Sequence, residues 1–217
     1  MEPNKQRLVN LILMGIFFLL QVYVYGEINS WAHTVYGEHE LALFPGERDI
    51  PLVSEFIVIY FPVFYALLGL SLLYFALVKY DLFAPVVLGL IFVELVCFPV
   101  FVFYPVVMDR PLPSEVPLND VFDGMVRWYY ELDEPYNLFP SLHAALSASL
   151  AYSWYRHNRK FGLYFVLPVA ILVMVSTVFV RQHWIIDELV GALVGFAVSW
   201  VVFHASPTGK RFAGGQQ

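Results

Sequence analysis

The sequence predicts an all-α integral membrane protein: six transmembrane helices in a bundle, with short amphipathic helices lying on its outer face. Three observations predict it. Of 217 residues, 59% are hydrophobic and only 14% charged, where a soluble domain carries roughly a quarter charged residues. The mean hydropathy is +0.67. Apolar runs approaching or exceeding the about 20 residues that a bilayer demands recur along the chain, separated by polar or aromatic-rich connections. No internal repeat and no low-complexity segment interrupt residues 1–217, apart from a short polar tail at 209–217, so the chain reads as a single domain.

The spans are expected at residues 8–25, 53–78, 83–106, 141–155, 162–180 and 184–203. The first follows Lys5 and Arg7. Its apolar run is too long for a cleaved signal and no A-x-A-like site follows, so it reads as an uncleaved anchor. Residues 27–51 then form an outward segment. Trp31, Tyr36 and Phe44 suit an interfacial layer, and Pro45-Gly46 and Pro51 punctuate it, which predicts one short surface helix and a turn. His33 and His39, near Glu38 and Glu40, read as solvated loop residues. The turn Lys79-Tyr80-Asp81 makes the second and third spans antiparallel neighbours. Glu94 lies midway along the third span. An ionisable group there is a functional candidate by default, but its depth favours a structural hydrogen bond or a neutral buried acid. The single Cys97, in the same span, excludes an intrachain disulfide and reads as packing.

The longest connection, residues 104–139, carries Arg110-Pro111 just beyond the third span. Asn119 or Asp120 can cap a helix running to about Leu132, with Val121, Met125 and Trp128 on its apolar face and Arg127 near its polar side. Asp133, Pro135 and Asn137 turn the chain into the fourth span, which reaches adequate length only if it begins near Asn137 or Phe139. The fifth span delivers Arg181 and Gln182 at its exit, and a tight turn must follow. The sixth starts at Trp184 and carries Gly191 and Gly195, a small-xxx-small pair for close helix packing.

Six crossings place both termini on one side, together with Lys5, Arg7, Lys79, Arg156, Arg159, Lys160, Lys210 and Arg211. Arg48, Arg110, Arg127 and Arg181 fall on the other. The larger basic set marks the cytoplasmic face. The net charge of −6 then belongs mainly to the outer face. An acidic membrane chain gives no support to nucleic-acid binding.

The chemistry collects at that outer edge. His183 and Asp187, four residues apart on a helix, share a face, so the carboxylate can fix the imidazole tautomer and leave the other nitrogen free as nucleophile or base. A structural His–Asp pair pinning the helix start explains those two residues equally well. His143 shifts the balance: it sits within about a turn of the start of another span running in the same direction. Pro140-Ser141 suits a helix start, and the first-turn N–H groups around Ser141 and Leu142 form an anion site. Arg110 and Arg181 add bidentate donors, and Asn137 and Arg127 join the candidate phosphate contacts. Ser141 and His143, two apart, do not face each other as a serine hydrolase pair would. Zinc ligation by His143, His183 and Asp187 is an alternative, disfavoured because helix N-termini and arginines attract anions. A transporter would set its polar groups near mid-bilayer instead.

Pro140-Ser141-Leu142-His143, His183-x3-Asp187 and Arg110-Pro111 together resemble the motifs of the type-2 phosphatidic acid phosphatase superfamily, membrane lipid phosphatases and phosphotransferases. The family patterns are Pro-Ser-Gly-His, Ser-Arg-x5-His-x3-Asp and Lys-x6-Arg-Pro, and the likeness in order and layout extends over nearly the whole chain. The resemblance implies that His183 attacks phosphorus to give a phosphohistidine, Asp187 orients it, His143 protonates the leaving alcohol, and Arg110 binds phosphate oxygens. It implies no metal or other cofactor, and a lipid phosphate or phospholipid substrate in the bilayer. The family's first-motif Lys falls at Phe103 and its third-motif Arg at Thr177, with Arg181 as a substitute. That reduced pattern looks most like the branch containing inositol phosphorylceramide synthases, which implies a lipid alcohol as acceptor. Water as acceptor shares the same first half-reaction. Oligomeric state is not legible.

Overall fold

A computed structural model describes residues 2–35 and 42–207. Among them, every regular element is helical, apart from an isolated bridge between Val106 and Asn137. α1 covers Pro3–Val35. A π-helical turn, Ile59–Val63, opens into α2, Phe64–Leu77. Pro62 lies inside that turn, where its missing N–H and bulky ring disrupt α-helical bonding. α3 is Phe83–Phe103, α4 Val121–Leu132 and α5 Leu142–His157. One turn, α6 (Arg159–Phe161), and a second π stretch, Gly162–Val166, lead into α7, Leu167–Phe179. α8 is Ile185–Ala205.

Among the described residues, five helical segments are long and apolar enough to cross a membrane: Pro3–Ala32, Ser54–Leu77, Phe83–Phe103, Arg159–Phe179 and Ile185–Ala205. The expected six are therefore corrected to five. The expected fourth span corresponds to α5, which has 16 residues and starts at Leu142, without the lengthening toward Asn137 that a lipid-facing span would need. At a 1.5 Å rise it measures about 24 Å, short of a hydrocarbon core of about 30 Å. α5 runs from one end of the bundle to the other inside it, so five apolar spans and one enclosed helix join the two ends. Leu142 through Ser147 and Ser149 through Ser153 are buried, among them Ser147, Ser149 and Ser153. A helix enclosed by protein needs no lipophilic surface, and small Ala and Ser side chains let its neighbours approach.

The packing fixes the helix directions. His143 meets Phe64 and His183 at one end of α5, Ser149 meets Ser199 midway, and Tyr152 and His157 meet Phe203 and Tyr74 at the other end. α2, α5 and α8 thus point the same way. α1 runs against them, because Asn10 donates to the carbonyls of Ala76 and Tyr80 while Tyr25 reaches Asp133. The start of α1 and the end of α8 lie at one end of the bundle, with Lys5, Arg7, Lys79, Arg156, Arg159 and Lys160. Lys210 and Arg211 lie outside the described residues. The core between the ends is aliphatic and aromatic, built on Leu68, Leu72, Phe75, Leu90, Phe101, Leu146 and Leu150.

Two local expectations change. α1 does not stop near Tyr25 but continues to Val35, so Trp31 is helical. Residues 36–41, with Tyr36 and His39, and the side chain of His33 lie outside what is described. After them only a short 3-10 turn, Glu47–Asp49, precedes the second span, entered through Gly46 at φ 77°. α4 forms as expected, with Asp120 accepting from the N–H groups of Phe122 and Asp123. Its inward face, however, is Val126, Tyr129 and Tyr130; Val121 and Trp128 are exposed.

Candidate active site

Two helix starts are stitched together to make the site. Ser141 caps α5, its Oγ accepting the Ala144 N–H at 3.2 Å. Its own N–H donates to the Asp187 carbonyl at 3.0 Å, joining α5 to the first turn of α8. Asp187 Oδ2 accepts the Trp184 N–H at 2.8 Å and closes that turn. Farther along, Gly191 and Gly195 lie against the Ser141 and Ala145 carbonyls, where a Cβ would collide. The turn before α8 is tight without glycine because Arg181 itself adopts the left-handed region, φ 51°, while Gln182 N–H returns to the Thr177 carbonyl at 2.9 Å.

These constraints bring the three catalytic candidates into one cluster. His143 Nδ1 lies 3.3 Å from His183 Nε2. On the far side of that ring, His183 Nδ1 lies 3.7 Å from Asp187 Oδ2. All three side chains are buried, and Tyr60 and Phe64 flank His143 with ring centroids at 4.8 and 4.7 Å. Burial pulls the His183 imidazole down to about 3, partly offset by the Leu138 carbonyl, so the ring is neutral at physiological pH. A proton on Nδ1, facing the carboxylate, leaves the Nε2 lone pair toward His143, whose Nδ1–H then donates. His183 Nδ1 and Asp187 Oδ1 have no closer hydrogen-bond partner among the described residues. Nor do those residues contain a group of three or more His, Cys, Asp or Glu side chains arranged to hold a metal ion.

The candidate phosphate contacts are placed differently. Arg181 makes three backbone contacts: its Nη1 donates to the carbonyls of Arg48 (3.0 Å) and Ile50 (2.8 Å), and its Nη2 to that of Asp109 (2.8 Å), while its buried Nε has no partner among the described residues. Arg110 lies 4.0 Å from the Tyr130 ring centroid and donates through Nη2 to the carbonyls of Tyr130 and Asp133, leaving Nη1 without a partner among the described residues. It lines a cavity of about 600 Å³ between the 107–113 segment and the end of α4. Arg127 pairs with Glu131 at 3.7 Å on the surface of α4. Asn137 donates to the Tyr25 carbonyl at 3.1 Å. Ser141 is a cap, and Leu142 packs into the core while its N–H sits in the first turn of α5.

Several polar neighbours have no role assigned from the sequence. Glu188 is buried beside Ser141 and Thr177, and a glutamate next to Asp187 at the start of an apolar helix was the available signal. Glu47, also buried, accepts the Ile185 N–H and the Phe44 N–H and so braces the start of α8. Gln182 presents a buried Nε2 without a partner among the described residues. A small cavity of about 80 Å³ touches His143 and is lined mainly by Val22, Tyr25, Phe64, Tyr65, Tyr129 and Leu142.

Fold and site together define a polytopic helical membrane protein with a buried centre of two histidines and one carboxylate. The chain belongs to the PAP2 superfamily, which residues 82–211, more than half of its length, match. The match begins just before α3, so the likeness is narrower than the whole chain. An uncharacterised protein of Methanocaldococcus jannaschii is 33% identical over 73 residues, 34% of this chain; the chain spans 30% of the length of that relative. The crystal structure of LpxE from Aquifex aeolicus superposes with a TM-score of 0.56 at 17% identity, covering 76% of this chain and 99% of that one. At that identity the likeness concerns the fold.

Proposed function

We propose that the protein is a metal-independent lipid phosphoesterase or phosphotransferase that works through a phosphohistidine on His183. The observation that carries the reading is the 3.3 Å approach of His143 Nδ1 to His183 Nε2, with Asp187 behind His183. His183 Nε2 turns toward phosphorus and forms the P–N bond as the P–O bond to the leaving alcohol breaks. His143, held as the imidazolium once the anionic substrate is bound, supplies the proton to that oxygen and is left neutral. The imidazolium formed on His183 keeps its Nδ1–H toward Asp187, whose charge stabilises it. In the second half, His143 takes a proton from the acceptor, the new P–O bond forms and the P–N bond breaks. The first-turn N–H groups of Leu142 and His143, which lack intrahelical acceptors, the Gln182 amide and Arg110 Nη1 are the donors available to phosphate oxygens.

The substrate class is a lipid carrying a phosphomonoester, a diphosphate or a phosphodiester headgroup. The acceptor is water, or a lipid alcohol as in an inositol phosphorylceramide synthase. The transfer reading is favoured by the cavity at His143, whose lining, apolar and aromatic apart from Gln21, extends to the exposed Val22 of α1. Residues 1–217 act as one domain. The basic end of the bundle faces the cytoplasm with both helix termini, and the site opens on the outer face of the cell membrane.

The test is turnover of labelled lipid phosphates and phosphatidylinositol by purified protein, with and without ceramide or diacylglycerol. Inorganic phosphate as product marks a phosphatase and a new phospholipid marks a transferase. His183→Ala and His143→Ala are each expected to lower turnover by about 10³-fold or more, and Asp187→Asn by about 10- to 100-fold. Near wild-type release by His183→Ala would end the phosphohistidine reading.

A further inference from the structure

Away from the histidines, α5, the 162–167 segment and α8 enclose a groove of about 810 Å³ toward the basic end of the bundle, within the roughly 300–1,000 Å³ range of small-molecule sites. Its floor is small: Ala148, Ala151, Gly162 and Ala192 leave space that neighbouring side chains do not fill. Gly162 is pressed against the Tyr155 backbone, so no Cβ fits there. Tyr152 of α5 and Phe196 and Trp200 of the lipid-facing α8 form its apolar walls.

The rim has the opposite chemistry. Arg156 donates through Nη1 to the Tyr152 hydroxyl at 3.1 Å, and its guanidinium lies 5.9 Å from the Tyr152 ring and 5.6 Å from Phe203. The Arg159 guanidinium lies 5.8 Å from the Tyr155 ring. The rings thus hold two cations beside the mouth of one apolar groove, and none of the residues lining that groove is acidic. Guanidinium groups match phosphate oxygens in bidentate geometry, and basic pockets between membrane helices select anionic headgroups.

We infer that this groove holds one anionic phospholipid, an acyl chain along Phe196 and Trp200 and the phosphate at Arg156 and Arg159. The site is separate from the histidine centre and does not depend on the catalytic reading. Its occupant is a bound membrane lipid held by a negative headgroup and an apolar tail, and it is not a substrate.

The experiment is native mass spectrometry of the detergent-purified chain with phosphatidylglycerol, with phosphatidylcholine of the same acyl composition, or with inorganic phosphate. Retention of phosphatidylglycerol is expected to exceed that of phosphatidylcholine at least about tenfold and to fall with salt, with inorganic phosphate not competing. Arg159→Gln, at an exposed position, is expected to lower retention several-fold while leaving the melting temperature unchanged. Leu163→Trp, which fills the groove and keeps both arginines, is expected to lower it as well. Equal retention of the two lipids, equal competition by inorganic phosphate, or unchanged retention in Arg159→Gln and Leu163→Trp would each overturn the inference.

Discussion

Arg181 ties residues 48–50 and 109 to the turn that presents His183, through three carbonyls. A guanidinium so engaged positions the nucleophile from outside. Arg181→Met leaves those carbonyls without their donor, at about 1–3 kcal/mol for each one kept from water. The expected result is a lowered melting temperature in detergent, with the remaining folded protein showing a nearly unchanged KM; a large KM rise without thermal loss would return Arg181 to the phosphate. Asp133 offers a pH test. Burial outweighs the nearby Arg110 and the Tyr25 hydroxyl and pushes its carboxyl up to about 6, above the ordinary value. The folded chain therefore holds a proton that the unfolded chain releases. The resulting stability is fully present below about pH 4 and is lost as pH rises through about 6. Thermal melts of the wild type should fall across that window relative to Asp133→Asn, which keeps the Tyr25 acceptor. The His–His–Asp cluster was legible because i,i+4 spacing and placement at helix starts are sequence properties. The arginine partners were not, since a loop guanidinium finds backbone carbonyls that only tertiary structure brings near.

The contact between α5 and α8 sets the distance between the two imidazoles. Gly191 and Gly195 lie against the carbonyls of Ser141 and Ala145, so the small-xxx-small reading of the sequence holds at the level of atoms. Gly195→Leu must push α8 away from α5. The expected cost is about 1–3 kcal/mol of stability, together with a fall in turnover larger than the loss of folded protein explains, read by melting in detergent and by activity per folded molecule. The five lipid-facing helices were legible from hydropathy and length. The sequence ends the first span at Tyr25, whereas α1 runs on to Val35. Tertiary bonds sustain the helix instead: Tyr25 donates to Asp133, and Asn29 to the Glu134 carbonyl at 2.8 Å. α4 is legible along the sequence, and Val121 and Trp128 are exposed as suits a helix lying on the membrane; that Val126, Tyr129 and Tyr130 face the protein is not legible, because aromatic residues occupy both sides.

The whole molecule is polarised. One end gathers Lys5, Arg7, Lys79, Arg156, Arg159 and Lys160; the other carries the long connections, α4 and the two histidines. The single native cysteine, Cys97, is fully buried, so reporter cysteines can be placed one at a time. With a membrane-impermeant maleimide, Leu118→Cys is expected to label on intact cells and Lys160→Cys only after permeabilisation. The reverse pattern would place the site on the cytoplasmic face.

The enclosure of α5 also bears on how the chain is made. A segment with serines along its length and too few residues to bridge the hydrocarbon gains little by leaving the translocon for lipid on its own. α2 and α3 precede it off the ribosome, but α8, with which it shares the histidine centre, is synthesised after it. The centre is therefore completed only when α8 arrives to shelter its partner from the acyl chains.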